Sequence, residues 1–266
     1  MSKVGFVGAG QLGMPMVRRL LGAGHEVQVF ARRAELRAEL TGLGAAVVDS
    51  PAAAARGRSL VIACLFSDDQ LLDAALGPDG LLGGLADDAV LASHVTGGVG
   101  TVRRLAAETA AQIVDAPVSG TADDIEAGQL TVMLGGDDVA VRTCRGVMSA
   151  YAKEMLHAGG LGSALAVKLV NNLLFAAHAQ LAVEAISLGR QLGVPQETLL
   201  GALSVSSGQS YAVNTLRQVP DVAAFSAAAG PFLRKDIAAC EQELASAGAT
   251  ADLLLDVVHR GSLSLH

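Results

Sequence analysis

Apolar and polar positions alternate in two different ways along this chain, and the change comes near residue 160. Before it, short apolar runs are separated by amphipathic stretches. Lys3 to Gly8 (KVGFVG), Val27 to Phe30, Ala46 to Val48, Leu60 to Leu65 (LVIACL), Ala89 to Ser93 and Gln112 to Asp115 read as strands. Leu12 to Leu21, Ala34 to Leu40, Asp69 to Leu76 and Val99 to Thr109 read as helices between them. The strands are apolar throughout, as expected where helices cover both faces of a parallel sheet. Leu130 to Leu134, a helix near Val139 to Ser149, and Glu154 to His157 extend the pattern.

From Ser163 the period is helical. Ser163 to Leu192 contains no Pro and reads as one helix of about 45 Å at 1.5 Å per residue. Gln196 to Leu203, Ser210 to Leu216, Pro231 to Ala247 and Ala251 to Val258 follow as further helices. The prediction is an α/β Rossmann domain with a parallel doubly wound sheet over residues 1–160. An all-helical domain over residues 161–266 follows, joined to it by the long helix.

Composition narrows the partners. The 266 residues are 51% hydrophobic but only 3% aromatic, so Ala, Leu and Val must fill the core. A net charge of −7 argues against nucleic acid, which needs a basic surface. Cys64, Cys144 and Cys240 are too far apart for a metal or disulfide framework and read as reduced, packed thiols. The histidines His25, His94, His157, His178, His259 and His266 show no metal spacing, and no metal is expected. No secretory signal is visible, and Gly or charge breaks each apolar run before it would span a membrane. The expectation is a cytoplasmic enzyme without membrane contact.

Gly8-Ala9-Gly10-Gln11-Leu12-Gly13 is a G-x-G-x-x-G turn between a strand and a helix. The first Gly permits a tight turn, the second lets a pyrophosphate approach the backbone, and the third lets helix and strand pack closely. The following helix N-terminus offers unpaired N–H groups to phosphate. A nicotinamide dinucleotide is therefore expected here. The second strand ends in Ala31-Arg32-Arg33, where an NAD site usually carries Asp or Glu for the ribose 2′-hydroxyl. Two guanidinium groups suit a 2′-phosphate instead, so NADP is favoured and NAD is the alternative.

Two further features carry chemistry. In Asp115-Ala116-Pro117-Val118-Ser119-Gly120-Thr121, the last three residues can present N–H groups and hydroxyls to a carboxylate. Lys168 and Asn172 stand four apart, so they share one face of the long helix. A Lys on an otherwise apolar helix needs a partner or substrate to offset its burial. Asp68-Asp69 and Asp123-Asp124 read as solvated charges at helix starts, and His178 as a structural histidine.

Taken in order, GFVGAGQLGMPM at the start, CLFSDD at 64–69, GPDGLL at 77–82, DAPVSG at 115–120, KLVNN at 168–172 and RKD at 234–236 resemble the β-hydroxyacid dehydrogenase family. That family includes 3-hydroxyisobutyrate dehydrogenases and semialdehyde reductases, and the resemblance covers nearly the whole chain. It implies that Lys168 is the catalytic lysine, with Asn172 and Ser119 beside it at the substrate. It implies Ser119, Gly120 and Thr121 as the carboxylate-binding turn. It implies Leu65, Phe66 and Thr96 against the cofactor, and Lys235 reaching the active site from the helical domain. Small hydroxy or oxo acids are the implied substrates, and association of copies through the helical part, as dimer or tetramer, is the implied assembly.

The chain also departs from the family. Thr121 stands where a second Gly is usual, and Ala164 where Gly usually precedes the lysine. Val95-Thr96-Gly97-Gly98-Val99 replaces a Ser-Thr-x-Ser-Pro stretch. These changes bear on the substrate, whose pocket also depends on helical-domain side chains such as Phe175, Gln209, Tyr211 and Phe232. An imine reductase would share the fold but usually replaces the lysine. A non-catalytic NADP-binding protein would have no use for Ser119, Lys168 and Asn172 together. A decarboxylating sugar-acid dehydrogenase normally has a much larger helical domain.

Overall fold

The computed structural model describes residues 1–265, so His266 lies outside the described residues. The first region runs β1 (Lys3–Val7), α1 (Gly13–Gly22), β2 (Glu26–Phe30), α2 (Ala34–Gly42), β3 (Ala46–Val48), α3 (Pro51–Ala55) and β4 (Leu60–Ala63). It continues with α4 (Asp68–Ala75), β5 (Val90–Ser93), α5 (Val99–Ala107), β6 (Gln112–Asp115), β7 (Val118–Ser119) and α6 (Ala122–Glu126). β8 (Leu130–Gly135), α7 (Asp138–Met148) and β9 (Ala152–Gly159) complete the sheet. The helical region is α8 (Ser163–Gln191), α9 (Gln196–Leu203), α10 (Tyr211–Arg217), α11 (Val222–Ala247) and α12 (Asp252–Arg260).

The sheet order is β3-β2-β1-β4-β5-β6-β8-β7, with β9 also on β8. β1 to β6 are parallel, and the order reverses between β1 and β4. That reversal opens the crevice where such sheets bind ligands, beyond the carboxyl ends of the strands. β8 departs from the expected parallel arrangement. It runs antiparallel to both β6 and β7, pairing Gly135 with Asp115, Val132 with Val118 and Thr131 with Ser119. These pairs share one register, so β6 and β7 are a single strand interrupted at Ala116-Pro117.

Each central strand feeds two cores. Leu60 and Ile62 face a cluster with Phe6, Met16, Val17 and Leu20, whereas Val61 and Ala63 face one with Leu71, Leu91, Val102 and Leu105. All four β4 side chains are fully buried, as the continuous apolar run predicts. Each large aliphatic side chain there stabilises the fold by about 1.5–3 kcal/mol.

The chain divides into two compact units, Met1–Lys168 and Leu169–His266. The pattern change near residue 160 marks the end of the sheet at Gly159, and the division between the units falls after Lys168, inside α8. Within the second unit, Leu173, Ala176, Ala177, Ala179, Val183 and Ile186 of α8 pack with Leu200, Leu216, Phe225, Leu233 and Val258. Buried Gln180 donates to the carbonyls of Val258 and Leu263 at 2.8 and 2.7 Å and accepts the Leu263 N–H. This fastens the last turns of the chain to α8.

Two expectations need correction. Pro231 does not begin a helix; it lies inside α11, which starts at Val222 where Asp221 accepts the Ala224 N–H. A proline removes one backbone bond, but a helix continues where one face is buried, here by Phe225, Leu233, Ile237 and Cys240. Second, α8 is long and apolar enough to cross a membrane by length and composition, so Gly and charge do not break every apolar run. Of its most apolar stretch, 56% is buried inside the protein, as in a core helix.

Candidate active site

Because β1 to β6 are parallel, the loops after them gather on one edge of the sheet. Gly8 has φ +99°, and a Cβ there would collide with the Cys64 carbonyl. A Cβ on Gly13 would collide with the Gly8 carbonyl. Gly10 differs: nothing lies within 4 Å of where its Cβ would stand, so the backbone is open to an incoming group. α1 begins after Leu12 with no side-chain cap, and Gln11 is exposed beside it. An uncapped helix start behind an open glycine is what a pyrophosphate needs. The residues present therefore fit a dinucleotide.

After β2, Ala31 is buried while Arg32 and Arg33 are exposed. Arg37 braces this corner by donating to the carbonyls of Ala31 and Val48 at 3.2 and 2.8 Å and pairing with Asp49 at 2.6 Å. After β4, Leu65 is half-buried and Phe66 exposed. After β5, Thr96 is half-buried in a loop held by Asp68, whose Oδ2 accepts the Gly98 N–H at 2.8 Å. Asp68 is thus not a solvated charge. A Cβ at Gly97 would overlap its carboxylate, which accounts for Gly at this position.

His94 lies under the next turn. It is buried, and its Nε2 stands 2.9 Å from the Tyr151 hydroxyl while Nδ1 faces the Ala116 carbonyl. Since a carbonyl only accepts, Nδ1 carries the proton and Tyr151 donates to Nε2. Burial pushes the His94 pKa down to about 4, opposed by the Ala116 hydrogen bond, so the ring is neutral. The pair braces Ala116, three residues ahead of Ser119. Burial also pushes the Cys64 and Cys144 thiols up to about 12, so neither supplies a thiolate at neutral pH.

Asp115 holds the start of α8. It is fully buried, and its two carboxylate oxygens accept the N–H groups of Gly162 and Leu165 at 2.7 and 2.8 Å. Burial pushes its pKa up, and these backbone N–H groups oppose the rise. The end of β6 is thereby tied to the first turn of α8, one turn ahead of Lys168. Lys168 itself is only 9% exposed. Sequence reading placed Asp115 in a motif but gave it no role. The available signal was a carboxylate at the end of an otherwise apolar strand.

The turn expected to meet a carboxylate offers fewer donors than its sequence suggests. The Thr121 N–H and hydroxyl both donate to Asp124 Oδ2, at 2.7 and 2.8 Å, and Thr121 Oγ1 accepts the Asp124 N–H at 3.3 Å. Thr121 is the N-cap of α6, so its donors are used within the chain rather than offered outward. Asp124 is likewise half-buried and bonded, not a solvated charge. Ser119 and Gly120 remain as the donors of this turn that Asp124 does not take.

In the second unit, Asn172 is 7% exposed and donates from Nδ2 to Asp236 Oδ2 at 2.6 Å. Its Oδ1 accepts from Asn171 Nδ2 at 3.1 Å. Lys235 Nζ lies 3.7 Å from Asp236 Oδ1. The structure therefore brings Asn172 and Lys235 together around Asp236, which sequence reading quoted only as part of RKD. Phe175 and Tyr211 make an edge-to-face contact at 5.9 Å, while Tyr211 and Phe232 are otherwise exposed.

Comparison with known proteins identifies the family. Residues 3–160 match the family described as the NAD binding domain of 6-phosphogluconate dehydrogenase. Residues 162–260 match that described as the NAD-binding of NADP-dependent 3-hydroxyisobutyrate dehydrogenase. An uncharacterized oxidoreductase of Shewanella frigidimarina is 33% identical over 215 residues, covering 79% of this chain and 74% of that protein. The 3-hydroxyisobutyrate dehydrogenase of Pseudomonas aeruginosa is 32% identical over 225 residues, covering 84% and 76%. Among solved structures, Mycobacterium tuberculosis 3-hydroxyisobutyrate dehydrogenase, described with L-serine, superposes with a TM-score of 0.85 at 26% identity, covering 97% of this chain and 92% of that one. Matched along both regions and by relatives of one kind, the chain belongs to the β-hydroxyacid dehydrogenase family of NAD(P)-binding oxidoreductases.

Proposed function

We propose that this protein is an NADP-dependent dehydrogenase that interconverts a small β-hydroxy acid and the corresponding semialdehyde or oxo acid, with Lys168 as proton donor and acceptor. The observation that carries the reading is a lysine nine-tenths buried on α8, whose helix start is fastened by Asp115 to the strand leading to Ser119. Burying an ammonium on an apolar helix costs free energy that its partners in the protein and a bound substrate must together offset.

When bound, the nicotinamide supplies two-electron hydride chemistry at the substrate carbon. The chain supplies the rest. Lys168 Nζ gives a proton to the carbonyl oxygen as it gains negative charge, and takes the hydroxyl proton in the reverse direction. A cation held at that oxygen lowers the barrier because it is already oriented when charge develops. The Ser119 hydroxyl and the Gly120 N–H orient the substrate carboxylate. Asn172, its amide held by Asp236, steadies the substrate beside Lys168. Arg32 and Arg33 pair with the 2′-phosphate, since no acidic residue stands at the end of β2.

The small β-hydroxy acid class is supported by the likeness to 3-hydroxyisobutyrate dehydrogenases and by the tuberculosis enzyme's structure with L-serine, itself a 3-hydroxy acid. Self-association through α8 is part of the same proposal. Leu174, Leu181 and Leu188 recur every seven residues and are 42%, 54% and 55% exposed, a seam suited to the same helix of a second copy. A spectrophotometric screen of small hydroxy acids and semialdehydes, with NADP and NAD in parallel, tests the function. Turnover with a preference for NADP is expected. A preference for NAD overturns the cofactor assignment, and turnover of no member of the class overturns the reaction.

A further inference from the structure

We infer that Asp124 is a charge filter at the substrate turn, admitting a single carboxylate and rejecting substrates that bring a second negative charge. The inference rests on the dehydrogenase reading above and names the substrate class within it.

One carboxylate oxygen of Asp124 receives both donors of Thr121, the N–H at 2.7 Å and the hydroxyl at 2.8 Å. The same oxygen would stand 3.1 Å from a Cβ on Gly120, whose φ of +137° favours glycine. A fixed negative charge therefore lies against the turn that meets the substrate. Where the family usually has Gly, Thr121 supplies the hydroxyl that locks this charge in place. Asp124 donates nothing in return to a ligand, because an ionised carboxylate only accepts.

Two consequences follow. The turn is left with the Ser119 hydroxyl and the Gly120 N–H, one donor for each oxygen of a single carboxylate. A second carboxylate or a phosphonate would find these donors used and the negative charge of Asp124 beside the turn. A second unit charge within about 6 Å of a half-exposed carboxylate lowers affinity on the order of tenfold. The favoured substrates are thus small monocarboxylate hydroxy acids and semialdehydes. Hydroxy dicarboxylates and phosphonates of similar size are disfavoured.

The test compares 3-hydroxypropanoate with hydroxymethylmalonate, which adds one carboxylate, as substrates with NADP. In parallel, propanoate and malonate are titrated calorimetrically into the protein–NADP complex, which reads binding without turnover. The wild type should favour the monocarboxylate about tenfold in both measurements. High salt should compress that ratio, since a half-exposed charge is screened. Asp124→Asn keeps an oxygen to accept the Thr121 N–H but removes the charge, and should shrink the ratio to about threefold or less. If the variant does not fold, the salt dependence of the wild type decides. A wild-type ratio near one, or a ratio indifferent to both salt and Asp124→Asn, overturns the filter while leaving the dehydrogenase reading intact. Failure of both acids to bind or turn over, with the NADP complex formed, overturns the substrate class itself and the filter with it.

Discussion

Asn172 Nδ2 donates to Asp236 Oδ2 at 2.6 Å, across 64 residues of sequence, and this bond sets which way the buried amide of Asn172 faces. Asp236→Ala leaves that N–H without its acceptor, at a cost of about 1–3 kcal/mol. kcat should fall on the order of tenfold or more, because the amide loses its orientation toward the substrate. Asp236→Asn, which retains an acceptor oxygen, should recover part of the loss. Steady-state kinetics of the two variants beside their thermal melts check this. Equal kcat in Asp236→Ala and wild type would remove Asn172 orientation from the account.

His94 imposes a pH dependence on stability. Its pKa is depressed by burial from the ordinary 6.5 to about 4. The unfolded chain therefore takes up a proton before the folded one as pH falls. Stability from this group is fully present above the unfolded pKa and is lost as pH falls toward the folded value. The loss amounts to roughly 3 kcal/mol over that window. Urea unfolding at several pH values should show it in wild type and much less in His94→Asn. Parallel profiles for the two proteins would contradict the buried neutral ring.

Arg32 and Arg33 should discriminate between cofactors. Replacing either with Ala removes a guanidinium from the proposed 2′-phosphate site. KM for NADPH should rise about tenfold, as for loss of a charge-assisted hydrogen bond, with little change for NADH. Equal effects on the two cofactors would assign these residues to general solvation.

The α8 seam predicts how copies assemble. Leu181 and Leu188 are 54% and 55% exposed on the second unit. Leu181→Glu with Leu188→Glu places like charges at the centre of the proposed contact. Sedimentation velocity should show wild type as a dimer or larger and the double variant as a monomer. An unchanged species in both proteins would place any contact elsewhere.

Much of the fold was legible because its signals are local. Continuous apolar runs such as Leu60 to Ala63 mark central strands, and the turn from Gly8 to Gly13 follows from the backbone needs of three glycines. The direction of β8 was not legible, since an apolar run states burial and not the orientation of its neighbour. Nor was the path of α11 through Pro231, where the burial of one face outweighs a lost hydrogen bond. At the candidate site, Lys168, Asn172 and Ser119 stand out in the sequence as polar residues in apolar or glycine-rich settings. Asp115, Asp236 and His94 did not, because their partners lie 47, 64 and 57 residues away. The capping role of Thr121 was not legible, because a hydroxyl beside a glycine offers the same donors to a ligand or to its own helix.

The central claim is that Lys168 moves the proton, and Lys168→Ala separates that role from cofactor binding. NADPH binding, followed by fluorescence titration, should stay within about threefold of wild type. In single-turnover measurements, reduction of the best semialdehyde from the screen should fall by at least about a hundredfold, in the range for loss of a general acid. Turnover by Lys168→Ala at the wild-type rate, with NADPH bound equally well, would contradict the account.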